Sequence, residues 1–153
     1  MGRMRLITAL WLLYVLAWFL PVIKEGVTLP DGLPGWQAFR VALSPWWAYE
    51  GFDYEPGITR LICPLTALTN LVMLASVLVV RWPARGVRRV LAGLLSVSFL
   101  IDAYWLSTGD MRADLRIGFY LWWLSFAALA GALLRDPGRA VHDQRRETPA
   151  AFE

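Results

Sequence analysis

Four separate apolar blocks constrain this chain more than any other feature: Leu6–Ile23, Leu61–Val80, Val90–Leu106 and Ile117–Leu134. A helix rises about 1.5 Å per residue, so about 20 residues cross a hydrocarbon layer about 30 Å thick. The blocks run 17–20 residues, and flanking aromatics extend them to the headgroup level. Hydrophobic residues make up 58% of the chain and charged residues 18%. Soluble domains carry about 45–50% and about 25%. The apolar excess falls in blocks rather than at helix or strand periodicity, the pattern of membrane spans. Nine tryptophans fall mostly near block ends, where amphipathic rings favour the interface.

The first block follows Arg3 and Arg5, the arrangement of a signal peptide. Its apolar core is longer than a signal peptide's, and Phe19-Leu20-Pro21 offers no small-residue cleavage site. It reads as an uncleaved first span that ends near Pro21. Pro64 is expected in the first turn of the second span, where a missing N–H costs little.

Charge sets the orientation. Arg3 and Arg5, then Arg81, Arg85, Arg88 and Arg89, then Arg135, Arg139, Arg145 and Arg146 all fall on one side of a four-span chain. On the other side, acids and bases nearly balance in residues 24–60 and 107–116. Cytoplasmic loops carry the excess Lys and Arg, so both termini are expected in the cytoplasm. Arginine outnumbers lysine fourteen to one, a usage associated with GC-rich bacterial genomes. The expected location is a bacterial inner (cytoplasmic) membrane.

The expected fold is therefore all-α: an integral membrane four-helix transmembrane bundle over residues 1–134. A short interfacial helix is expected in the first extracytoplasmic loop, residues 24–60, and a disordered cytoplasmic tail over 135–153. In "PGWQAFRVAL", Trp36, Phe39 and Leu43 recur at i, i+3, i+7, one face of a helix. Trp46 and Trp47 follow as an interfacial anchor. The acids Glu50, Asp53 and Glu55 lie among Tyr49, Phe52 and Tyr54. Aromatics mixed with charge are frequent at interfaces. Trp36, Phe39, Trp46, Trp47, Glu50, Asp53 and Glu55 are thus the candidate partner-binding residues.

Polar residues inside spans form a second set. Thr66, Thr69, Asn70, Met73 and Ser76 share one face of the second span. Ser98 and Asp102 share a face of the third. Such faces turn toward other helices, so Thr66, Asn70, Ser98 and Asp102 are the candidate intramembrane polar residues. They serve either interhelical hydrogen bonding or a path for a small solute or cation. A carboxylate in lipid needs a partner, and Arg60 or Arg116, bordering the neighbouring spans, would supply an ion pair for Asp102. In the fourth span, Ala127 with Gly131 and Ala128 with Ala132 permit close helix approach.

Chemistry is sparse. One cysteine, Cys63, allows no internal disulfide, and one histidine, His142, allows no multi-histidine metal site. Phosphate-binding glycine loops and hydrolase or metalloprotease motifs are missing. No catalytic residue, metal or cofactor is expected. The net charge of +3 sits beside apolar blocks and suits a bilayer rather than nucleic acid. The expected partners are membrane lipids, together with a membrane or periplasmic protein or further copies of the chain. The expected function is that of a small inner-membrane interaction protein, an accessory subunit or an immunity-type protein acting through the aromatic loop. The alternative is an oligomeric transporter or channel subunit using Asn70, Ser98 and Asp102.

Overall fold

A computed structural model describes residues 3–24, 32–44, 46, 57–79 and 84–135. Helix α1 covers Arg3–Ala17, α2 Gly35–Ala42, α3 Thr59–Val79, α4 Arg85–Asp102, α5 Tyr104–Ser107, α6 Gly109–Asp114 and α7 Ile117–Leu134. Two short strands, β1 (Pro21–Ile23) and β2 (Leu33–Pro34), pair antiparallel. The last apolar block and α7 have the same limits. Helix α3 begins two residues before its block, and α4 begins five before.

Among the described residues, three helical segments are long and apolar enough to cross a membrane: Thr59–Val79, Arg85–Ser107 and Ile117–Leu134. The first block behaves differently. Its helix has 15 residues, about 22 Å at about 1.5 Å per residue, and does not reach Ile23. Trp18 and Phe19 bond back to Val15 and Leu16 in tight turns. Leu20 precedes Pro21, and a residue before proline is pushed out of the helical region. The chain then runs extended as β1, a strand that an all-α reading does not foresee.

Helix α7 packs between α1 and α4, and α4 packs against α3. The backbones of α1 and α3 approach much less closely, and long side chains bridge them. The end of strand β1 is held by two further backbone bonds, Lys24 N–H to the Asp114 carbonyl and Arg116 N–H to the Val22 carbonyl, which together form an Ile23–Leu115 bridge. These place the end of α1 beside the start of α7. Two glycines permit this closeness. A Cβ on Gly118 would lie 2.7 Å from the Pro21 carbonyl oxygen, and one on Gly35 would lie 2.7 Å from that of Ala17.

Burial is inverted relative to a soluble domain. Thr69, Asn70, Ser76, Ser98, Asp102 and Ser125 are buried, while Leu12, Leu68, Leu71, Leu78, Val97 and Leu100 are exposed. Water-soluble monomers rarely expose large apolar patches, and exposed apolar helix faces with backbone groups satisfied inside the helices are compatible with hydrocarbon surroundings. The core combines Ile7, Tyr14, Met73, Leu91, Leu95, Phe126 and Leu129.

Pro64 is the sixth residue of α3, not in its first turn. Its missing N–H is therefore one that would bond the Arg60 carbonyl. The Ala127–Gly131 pair makes no tight internal contact, since a Cβ on Gly131 would meet nothing within 4 Å. The expected tail lies outside the described residues, apart from Arg135.

Candidate functional site

The polar face of α3 meets the other helices through aromatic donors. Asn70 is the hub. Its Oδ1 accepts the Tyr14 hydroxyl at 2.7 Å and the Trp122 indole N–H at 2.8 Å. Its Nδ2 donates to the carbonyls of Thr66 and Ala67. Both oxygen lone pairs and both N–H groups are used. One side chain thus ties α3 to α1 and α7. The Trp105 indole N–H donates to Thr66 Oγ1 at 3.0 Å, and the Trp11 indole N–H donates to Ser76 Oγ at 3.2 Å. Trp123 Nε1 bonds the Phe99 carbonyl while its ring stacks on Phe99 at 4.4 Å.

Asp102 is fully buried, with 0% exposure. The Thr69 hydroxyl lies 3.2 Å from its Oδ2, but the same hydroxyl lies 2.7 Å from the Thr66 carbonyl. One proton serves two acceptors, and the shorter contact is the carbonyl. Asp102 Oδ1 has no hydrogen-bond partner. The expected ion pair does not form. Arg60 and Arg116 are both exposed, while the carboxyl turns inward between α4 and α3. Ser98, one turn earlier, is buried on the same side of α4.

Helix α2 closes this end of the bundle. Its backbone is pinned to the turn after α1: Gly35 N–H bonds the Leu20 carbonyl and Trp36 N–H bonds the Trp18 carbonyl. Phe39 packs on Trp18, with ring centroids 5.3 Å apart. The face it turns to the bundle holds Ala38, Phe39, Val41 and Ala42. Trp36 instead points away, 51% exposed, and Trp46 beyond the helix is 66% exposed. The expected Trp36–Phe39–Leu43 stripe is thus not the packing face. Trp47, Glu50, Asp53 and Glu55 lie outside the described residues.

Beneath α2 lies a cavity of about 120 Å³. Ala17 of α1 and Trp18 of the turn after it, Ala38 and Phe39 of α2, and Cys63 and Ala67 of α3 form much of its wall. Asn70, Thr66, Trp105 and Trp122 reach it from the polar network. Among the described residues, no three of His, Cys, Asp and Glu converge as metal ligands would.

Sequence reasoning missed Trp11, Tyr14, Trp105 and Trp122 as the partners of the α3 face. The signal was present: Ile7, Trp11, Tyr14 and Trp18 recur at i, i+4, i+7, i+11, a helical stripe carrying three polar tips. No protein family, curated protein or solved structure matches this chain.

Proposed function

We propose that the chain is a four-span inner-membrane interaction protein, with both termini in the cytoplasm, that binds another membrane protein through the α2 cap. The observation that carries this reading is the pairing of a fixed cap with free tryptophans. Helix α2 is anchored by backbone bonds and by Phe39 on Trp18, yet Trp36 and Trp46 stay exposed. Tryptophan on a rigid support is enriched among residues that dominate binding energy. The charge pattern supports the orientation. Arg5, Arg85, Arg88, Arg89 and Arg135 belong to the end of the bundle opposite α2, and Arg112, Asp114 and Arg116 to its own end. In this reading α1 crosses as the fourth span, shorter than its neighbours, with Trp18 and Phe19 at the interface.

The test is co-purification from native membranes with tagged full-length chain. Trp36→Ala and Trp46→Ala together should abolish recovery of a stoichiometric membrane protein, while Leu100→Ala should not. Equal recovery from all three would end the reading. Recovery of the tagged chain with only untagged copies of itself would replace the partner with a homo-oligomer.

A second reading, a subunit of an oligomeric carrier or channel, draws on the unpartnered Asp102 Oδ1 beside Ser98. It weakens at Asn70, whose hydrogen-bonding groups are already used. Flux through proteoliposomes that falls in Asp102→Asn would favour it.

A further inference from the structure

We infer that the cavity under α2 is a binding site for the end of a hydrocarbon chain belonging to a bilayer lipid. Its wall explains the choice of ligand. The small residues Ala17, Ala38, Ala42 and Ala67 stand where larger ones would fill the space. The polar groups that reach it are already engaged. Asn70 gives both oxygen lone pairs to Tyr14 and Trp122, and Thr66 Oγ1 accepts the Trp105 indole. A water molecule needs two to four polar partners, and apolar cavities of about 150 Å³ stay dry and take benzene-sized guests. A cavity of about 120 Å³ therefore suits the last few carbons of a chain better than a charged or hydroxylated solute.

The route of entry points to the bilayer as the source. The cavity lies where α1 and α3 face each other with little backbone contact, and α2 covers it at the bundle end. The outer faces of α1 and α3 beside it carry exposed Leu13, Leu16, Leu65 and Leu68. A chain can thus enter from the side, through surface that is already apolar. The inference rests on the helices lying in lipid, but it does not need a protein partner.

The experiment uses the full chain in phosphatidylcholine vesicles doped with a phosphatidylcholine bearing a diazirine near one acyl terminus. Photolysis and residue-level mapping should place adducts on the cavity wall, at Ala38, Phe39, Ala42, Cys63 or Ala67, as well as on lipid-facing positions of α4 such as Leu94 and Val97. Ala67→Phe, which fills the cavity, should remove the wall adducts and leave those on α4. Ala38→Leu, a smaller filling change on another helix, should lower them several-fold. Cys63, the lone cysteine, gives a readout without substitution. Its reaction with N-ethylmaleimide should be several-fold slower in vesicles than in delipidated detergent. Adducts on α4 but none on the wall would overturn the inference and leave the membrane placement standing. Wall adducts unchanged in both filled variants would also overturn it. The absence of adducts everywhere would remove the membrane reading and this one with it.

Discussion

The Tyr14 hydroxyl donates to Asn70 Oδ1 across 2.7 Å, joining α1 to α3 at residues 56 apart in the chain. This bond spans the seam where the two backbones do not pack closely. The same oxygen accepts Trp122, so three helices meet on one amide. Side-chain geometry, rather than helix-on-helix contact, closes the bundle there.

Removing the donor should cost less than removing the hub. Tyr14→Phe leaves Asn70 Oδ1 with Trp122, and a single interhelical bond in a membrane averages about 0.6 kcal/mol. Asn70→Leu strands the Tyr14 hydroxyl and the Trp122 N–H, each at about 1–3 kcal/mol. Unfolding from mixed micelles by SDS should show this order, and a double-mutant cycle should show coupling between positions 14 and 70.

The glycines separate into two kinds. Gly35→Ala and Gly118→Ala push a Cβ to 2.7 Å from backbone oxygen, which only a chain shift relieves. Each should destabilise by about 1–3 kcal/mol. Gly93→Ala and Gly131→Ala meet open space, and each should be neutral or stabilising by up to about 1 kcal/mol. Thermal unfolding in detergent distinguishes the pairs.

Asp102 tests whether the fold depends on its charge. The carboxyl has one shared donor and an unpartnered oxygen. A buried polar atom left without a hydrogen-bond partner costs about 1–3 kcal/mol, and an apolar replacement of similar shape can be nearly neutral or stabilising. Asp102→Asn and Asp102→Leu should therefore leave stability unchanged or raised, measured by the same SDS titration. A clear loss in Asp102→Leu alone would show that the Thr69 contact matters to the fold.

Arg60→Ala and Arg116→Ala should have little effect. Both side chains are exposed and neither meets Asp102. Exposed charges contribute about 0–1 kcal/mol. A larger loss, common to both and absent in an Asp102→Asn background, would reveal a pairing that the fold as described does not contain.

Orientation is the remaining point to measure. Reporters fused at each end should both register on the cytoplasmic side, and an impermeant thiol reagent should modify a cysteine placed at Trp46 from outside. Reporters on opposite sides would mean that α1 does not cross.

The sequence by itself determined the blocks, because hydrophobic length is a local property that no packing alters. The limits of α7 were legible for that reason. It also determined the inward face of α3, since Thr, Asn and Ser at helical spacing on an otherwise apolar helix mark the side that needs hydrogen-bond partners. Tertiary structure decided what those faces meet. Trp11, Tyr14, Trp105 and Trp122 became the partners because three different helices bring donors to one stripe, and a list of residues holds no such distances. It also decided that α1 stops at Ala17, where Pro21 and the strand pairing to Leu33–Pro34 compete successfully with helix. The rotation of Asp102 away from Arg60 and Arg116 and the cavity under α2 were settled there too. Both depend on how closely backbones approach, and that is fixed by packing among distant residues.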